Sequence, residues 1–354
     1  MSQFFSSKYR TLVPYTPGEQ PRDMQYIKLN TNESPFPPSE KAIQMASEAA
    51  KNLQLYSDPT AKKLNQAMAS LFGIEENEVI MSNGSDEVLN YAFMAFCDAE
   101  HPAVFADITY GFYSVFAEIN CIPTKIIPLR EDFSLSVDDY IHQKGTVFIA
   151  NPNAPTGLCL PTSEIERLLQ SDPDRVVVID EAYVDFGGES CIPLTKKYNN
   201  LLVTGTFSKS RSMAGARLGF GIANSALIAD LNAMKYSTNP YNVNAMTMAA
   251  GVGCLMDEEY TQKNCQKIIE AREFTAKELE KLGFTLTDSR TNFVFAKHPE
   301  LDGEHFYQEL RRRGILVRHF SSPRIRDYNR ITIGTMEQMQ IFIKMTKEIL
   351  EENN

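Results

Sequence analysis

The sequence predicts an α/β protein built on a mostly parallel sheet, followed by a smaller α+β unit. Three observations carry this expectation. From about residue 40 to 235, short apolar runs rich in β-branched residues alternate with helical stretches, the pattern of strand–helix layers. Those runs are apolar almost throughout, as strands covered on both faces must be. After STNPYNVN (237–244) the character changes to one long helix and shorter mixed units. A chain of 354 residues is long enough for two cores.

Taken in order, residues 1–39 read as an arm rich in Pro, Asn and Ser with little periodicity, expected to pack on the smaller domain or on a partner subunit. The large domain is expected over 40–240. Its strands are EVIMS (78–82), PAVFAD (102–107), TVFIA (146–150), RVVVID (175–180), LLVTG (201–205) and GFGIA (219–223), with helices including 85–97 and 161–170. The small domain is expected over 241–354. It opens on a helix of roughly 257–282 that ends at Gly283, a C′ residue suited to positive φ. NFVFA (292–296), a helical unit at 303–314, ILVRHF (315–320), RITIG (330–334) and a terminal helix follow.

Composition narrows the function. The net charge is −10 with no Lys/Arg-rich block, which argues against nucleic acid or an anionic membrane as partner. Six scattered cysteines without a CxxC pair, and five histidines without HExxH spacing, argue against a disulfide framework or a metal site and fit a reducing cytoplasm. The N-terminus lacks the apolar core of a signal peptide, and no run is long enough to span a bilayer.

In open α/β sheets ligands bind at the carboxyl ends of strands, and there this sequence places polar groups. SNGSDE follows the first strand: Gly84 allows close backbone approach, and Ser85 and Asp86 open a helix whose first N–H groups are free. Simple helix capping explains the same residues. Asp180 closes a strand of β-branched residues, so it needs a partner or serves as one; Tyr183 lies three residues on. Lys209, among small and hydroxyl residues and near Arg217, should have a lowered pKa and be a competent amine nucleophile. Arg217 is expected to contribute to that lowering. Taken alone, each of these has a structural explanation. Together they match one cofactor, pyridoxal 5′-phosphate, which needs a Schiff-base lysine, an acid beside its ring nitrogen and a phosphate cradle. Neither GxGxxG nor GxxxxGK[ST] is present.

TFSKSRSMAGARLGFG resembles the cofactor-lysine motif of the fold type I aminotransferases, with SNGSDE, NPNAPTG and VVVIDEAY in the matching order. LVPYTPGEQP, IKLNTNESP, LYSDP, ITYGFY, NPYNVN, TNFVF, ILVRHF and NRITIGT resemble the histidinol-phosphate aminotransferase branch, and the resemblance covers nearly the whole chain. It implies a large domain with helices on both faces of the sheet. It also implies that Lys209 is the covalent anchor and proton shuttle, that Asp180 holds the ring nitrogen protonated, and that Tyr183 bonds the phenolic oxygen. Tyr110 would stack on the ring. Gly84, Ser85, Asp86, Thr206, Ser208 and Arg217 would hold the phosphate, joined by Tyr56 from the second subunit of a homodimer with shared sites. Arg330 and Arg318 would bind the anionic end of the substrate, with Tyr15 and Asn32 as further contacts. Two departures stand out. Ala154 occupies the position where family members carry the asparagine that bonds the phenolic oxygen; Asn153 is its expected replacement, with Tyr183 acting alone as the alternative. SPFPPS replaces a glycine-bearing segment of the arm.

The expected reaction is transamination between histidinol phosphate and 2-oxoglutarate. A threonine-phosphate decarboxylase, or an aminotransferase for aromatic or other amino acids, shares the cofactor site and stays open. The aminotransferase-like sensors of transcription regulators carry a helix-turn-helix domain, for which this arm is too short.

Overall fold

The computed structural model describes residues 2–353. The arm includes a two-residue strand, β1 (Ile27–Lys28), and leads into helices α1 (Glu40–Ala50) and α2 (Lys62–Phe72). Strand β2 (Val79–Ser82) then runs into α3 (Ser85–Phe96), β3 (Ala103–Ala106) into α4 (Phe112–Ile119), and β4 (Thr124–Ile127) into the single turn α5 (Asp138–Ile141). Strand β5 (Thr146–Ala150), helix α6 (Thr162–Ser171) and strands β6 (Val177–Asp180), β7 (Leu201–Thr206) and β8 (Gly219–Ala223) complete the large sheet. Its order is β2-β8-β7-β6-β5-β3-β4. All neighbours are parallel except β8, which runs antiparallel to both β2 and β7.

The strand runs expected from the sequence appear within one or two residues of their predicted ends. β4 was not anticipated. Its first three residues are exposed and it lies at the sheet edge, so it lacks the continuous apolar run of a strand covered on both faces. The buried strands explain why their runs are continuous. Val177 and Ile179 join one core with Leu64 and Met68 of α2 and Ile165 and Leu168 of α6. Val178 between them joins a separate core with Val88 and Leu89 of α3 and Tyr113 and Phe116 of α4. Alternate residues of one strand thus enter opposite cores, and helices cover both faces. Each fully buried Val, Ile or Leu side chain is worth about 1.5–3 kcal/mol, which makes these strands the fixed frame for the loops at their ends.

Helices α7 (Ser225–Thr238) and α8 (Ala245–Leu255) follow, then the long α9 (Glu258–Lys281). Gly283 has φ +87°, the left-handed conformation expected of a residue that ends a helix. Ala250 and Cys254 of α8 pack in the core that α2 and α6 share with the large sheet, although they lie past residue 240. Strands β9 (Thr285–Leu286) and β10 (Phe293–Lys297), helix α10 (Gly303–Arg312), strands β11 (Ile315–Leu316), β12 (Arg318–His319) and β13 (Asn329–Thr332), and helix α11 (Met336–Asn353) end the chain. A four-stranded sheet has the order β12-β13-β10-β9, antiparallel throughout. The run ILVRHF divides at Val317: β11 pairs in parallel with β1 of the arm, while β12 pairs with β13. Leu29 of the arm is buried with Val294, Ile331 and residues of α9 to α11.

Candidate active site

The loops at one edge of the large sheet converge. Strands β5, β6 and β7 are parallel, so Asn151, Asp180 and Ser208–Lys209 emerge at the same edge. β2 is antiparallel to β8, so the start of α3, after β2, meets Arg217, just before β8. The Gly84 N–H donates to the Arg217 carbonyl at 3.0 Å. The cavity at this edge is lined by Ser85, Asp86, Tyr110, Asp180, Tyr183, Thr206, Ser208, Lys209 and Arg217, nine of the residues the sequence singled out. A second, larger cavity adjoins it, lined by Tyr15, Asn32, Arg318 and Arg330 among others, and Tyr110, Ala154, Tyr183 and Lys209 border both.

Lys209 lies at the junction. Its Nζ donates to the Thr31 carbonyl of the arm at 3.2 Å. Burial lowers its pKa to about 8, and the positive charge of Arg330 adds to the effect. Arg217, expected to contribute, does act in the same direction, but it contributes least. The cause is its partner: Arg217 Nη2 is 2.9 Å from Asp86 Oδ2, and a paired charge projects a weak field.

Asp180 is 4% exposed. Burial raises its carboxyl to about 6, against the opposing pull of the Tyr113 hydroxyl, which donates to Oδ2 at 3.0 Å. The Ala182 N–H donates to Oδ1 at 3.2 Å. Tyr113 was not singled out from the sequence. The only signal was its place in ITYGFY, three residues after Tyr110, whose carbonyl accepts from the Tyr113 N–H at 3.1 Å. Tyr183 accepts at its hydroxyl from Asn32 Nδ2 at 2.9 Å and meets Phe293 edge-on.

Asp86 bridges two neighbours. One carboxylate oxygen accepts from the Tyr110 hydroxyl at 2.6 Å and the other from Arg217. A carboxylate repels a phosphate, so what Asp86 can offer an anion is its amide in the first turn of α3. Thr206 Oγ1 donates to Ser208 Oγ at 2.9 Å, which gathers two hydroxyls beside that turn.

Three expected residues are engaged with partners of their own. Asn153 does not border either cavity. Its Nδ2 donates to the Ile108 carbonyl and Thr156 Oγ1, and its Oδ1 accepts from Thr109, so its amide stabilises its own loop, and Ala154 faces the cavity in its place. Tyr56 lies on the surface, 85% exposed, with its ring stacked on Tyr241 at 4.6 Å. Asn32 borders the second cavity, but its amide is already bonded to Tyr183 and Thr332.

Arg318 and Arg330 are directly opposite each other on β12 and β13. Like charges so placed repel, a cost that a bound anion would relieve. Arg330 Nη2 donates to the Asn30 carbonyl at 3.1 Å, while its buried Nε has no partner. Arg318 donates to the Thr16 and Pro17 carbonyls of the arm. Tyr15 stacks on Phe112 at 4.3 Å at the mouth of the same cavity.

These residues fit pyridoxal phosphate. A Cβ on Gly84 would lie 2.5 Å from Arg217 Nη2, and one on Gly219 would lie 2.3 Å from the Gly84 and Ser85 backbone. Glycine at both positions therefore lets the guanidinium sit over the first turn of α3, a cradle with the chemistry of an anion site. A buried acid and a weakly basic amine border the same space.

The aminotransferase class I and II family matches residues 24–345. The chain is 45% identical to the histidinol-phosphate aminotransferase of Brachyspira hyodysenteriae, over 99% of this chain and 100% of that protein. It is 49% identical to the histidinol-phosphate aminotransferase of Marinomonas sp., over 96% of this chain and 97% of that protein. The crystal structure of histidinol-phosphate aminotransferase from Sinorhizobium meliloti in complex with pyridoxal-5′-phosphate superposes with a TM-score of 0.84 at 21% identity, covering 93% of this chain and 92% of that one. At that identity the likeness shows the fold alone. With a family match across most of the chain and full-length relatives near half identity, the chain belongs to the aminotransferase class I and II family and, within it, to the histidinol-phosphate aminotransferases.

Proposed function

We infer that the chain catalyses pyridoxal-phosphate-dependent transamination of histidinol phosphate with 2-oxoglutarate, giving imidazole acetol phosphate and glutamate, a step of histidine biosynthesis. The observation that carries this is the position of Lys209, an amine of lowered pKa at the junction of the two cavities. One cavity fits the cofactor, and the other holds two facing arginines. Pyridoxal phosphate, when bound, supplies a reactive aldehyde and a ring that withdraws electrons from the substrate carbon.

The chain's own residues do the rest. Lys209 would anchor the cofactor, and its Nζ, as a free amine of lowered pKa, would take up and give back the proton of the substrate carbon. Asp180 would hold the ring nitrogen protonated; the Tyr113 hydroxyl and the Ala182 amide hold its carboxylate in place. Tyr183, oriented by Asn32, would donate to the phenolic oxygen without help from Asn153. The first turn of α3, Thr206, Ser208 and Arg217 bind the phosphate, while Asp86 aligns Arg217 and Tyr110. Arg330 and Arg318 take the anionic end of each substrate in turn.

The division of labour follows the seven-stranded and four-stranded sheets: a cofactor-bearing unit, and a substrate-closing unit that we place after α8 rather than at residue 241. The reading extends to a homodimer. Tyr56 and Tyr241, stacked on each other, are exposed, as are Leu53 and Leu55 close by in sequence; exposed apolar side chains that gather on a surface mark protein contacts, and from there Tyr56 would reach the partner's phosphate site. The setting is cytoplasmic. Among the described residues no helix is long and apolar enough to cross a membrane.

The test is the visible absorption of the purified protein during addition of histidinol phosphate. A cofactor band bleached without release of carbon dioxide is the expected result. A band bleached by threonine phosphate with carbon dioxide release would move the assignment to the decarboxylase.

A further inference from the structure

Arg318 and Arg330 belong to the small sheet and Lys209 to a loop of the large one, so something must hold the two at a working distance. The chain between β12 and β13 reaches back across the cavity. Arg324 Nη1 lies 2.6 Å from Asp107 Oδ2, and Nη2 donates to the Leu129 and Arg130 carbonyls, each at 2.9 Å. Asp107 stands just past the end of β3, and its Oδ1 accepts from the Leu129 N–H at 2.9 Å. One guanidinium thus binds two segments of the large unit, and the carboxylate it uses is itself fixed.

The large unit answers with Phe133. Its ring meets Phe295 and Tyr328 of the small unit edge-on, at 5.9 and 5.3 Å. Its backbone is left-handed, with φ +66°, a conformation that disfavours any residue with a large side chain. The turn that imposes it is closed by Phe133 N–H to the Arg130 carbonyl and by Arg130 N–H to the Ser134 carbonyl. Arg130 is also a residue whose carbonyl Arg324 takes. Ile325, buried with Ala106, Ile108, Leu129 and Phe133, closes the contact. Ser322, Ile325 and Asp107 border the cavity that holds the two arginines, whereas Arg324 and Phe133 do not.

We propose that Arg324 and Phe133 form a reciprocal latch: positioning residues that close the small unit on the large one and so set the distance between the substrate-binding arginines and Lys209. Neither touches substrate. Because both substrates use the same arginine pair, an open latch lowers the fraction of molecules competent for either, and it lowers both apparent affinities by one common factor.

The experiment uses the holoenzyme. Arg324→Ala and Phe133→Ala should raise KM for histidinol phosphate and for 2-oxoglutarate by the same factor, roughly tenfold, with little change in kcat and an unchanged cofactor absorption band. Arg324→Lys should recover only part of the loss, since an ammonium cannot serve the carboxylate and both carbonyls in one plane. Backbone hydrogen exchange over residues 320–328 should accelerate in both alanine variants. An effect confined to one substrate, an unchanged KM for Arg324→Ala, or unchanged exchange overturns the latch. The argument rests on the reading of Arg318 and Arg330 as substrate ligands, and Arg330→Ala tests that separately. If Arg330→Ala leaves KM unaltered, that reading fails, while the exchange measurement still decides whether the latch exists. Should Phe133→Ala fail to fold, Arg324→Ala and Arg324→Lys, at a partly exposed side chain, carry the test.

Discussion

Lys209 and Arg217 illustrate how neighbours decide what a cation does. Both stand in one short segment, yet burial and the field of Arg330 depress the Lys209 pKa, whereas Arg217 is neutralised by Asp86. Lys209→Ala should therefore remove the proton shuttle itself, lowering kcat by about a hundredfold or more. Single-turnover absorbance with histidinol phosphate reads this directly, and substantial turnover by the variant would sink the assignment. Arg217→Ala should act on cofactor binding instead. A charged hydrogen bond is worth about 1.5–3 kcal/mol, so the dissociation constant for pyridoxal phosphate should rise roughly ten- to hundredfold, with near-normal turnover once the site is saturated. An unchanged constant in a fluorescence titration would exclude the phosphate role.

Among the elements, β6 ends on Asp180 and is followed at once by Glu181, two adjacent carboxylates with separate fates. Asp180 faces the cofactor cavity; Glu181 turns away and accepts from the Ser190 hydroxyl and the Cys191 N–H. Burial raises Glu181 from 4.5 to about 7. A carboxyl raised on folding is held protonated by the fold. Stability should therefore fall as pH climbs from about 4.5 through 7, where the unfolded chain has already released the proton. Glu181→Gln keeps the shape without the charge, so its melting temperature should fall less than that of the wild type between pH 5 and 7.5. Parallel curves in thermal denaturation would show that Glu181 does not titrate there. On the small sheet, β12 and β13 hold Arg318 and Arg330 face to face. Arg330→Ala should raise KM for both substrates, because one of the two facing guanidinium groups offered to the anion is lost. Steady-state kinetics that show no change would remove the pair from substrate binding.

At the scale of the whole molecule, the arm ties the units together: Thr31 meets Lys209, Asn32 meets Tyr183, and Thr16 and Pro17 meet Arg318. Tyr56 points outward, so its contribution requires a second copy. Tyr56→Phe should weaken cofactor retention by roughly ten- to hundredfold, the worth of one hydrogen bond to a charged group. Cofactor loss on dilution should follow the dissociation of the dimer, measured by sedimentation. A monomer that keeps full affinity would exclude the shared site.

The large sheet was legible in the sequence because burial on both faces writes itself into every residue of a strand, as in VVVID and TVFIA. Asp180, Ser208 and Lys209 were legible because they follow such strands, and strand ends are where a parallel sheet exposes its ligands. What only the tertiary structure decided depends on segments distant along the chain. β4 is an exposed edge without the continuous apolar run of a strand covered on both faces. Asn153 is drawn into its own loop by Thr109 and Thr156, more than forty residues apart in the first case. Tyr113 reaches Asp180 across 67 residues, and Arg324 reaches Asp107 across 217. Local pattern determines which strand or helix forms and what chemistry it carries to its end. Which side chains then meet is set by how the units pack, and no short-range periodicity encodes that.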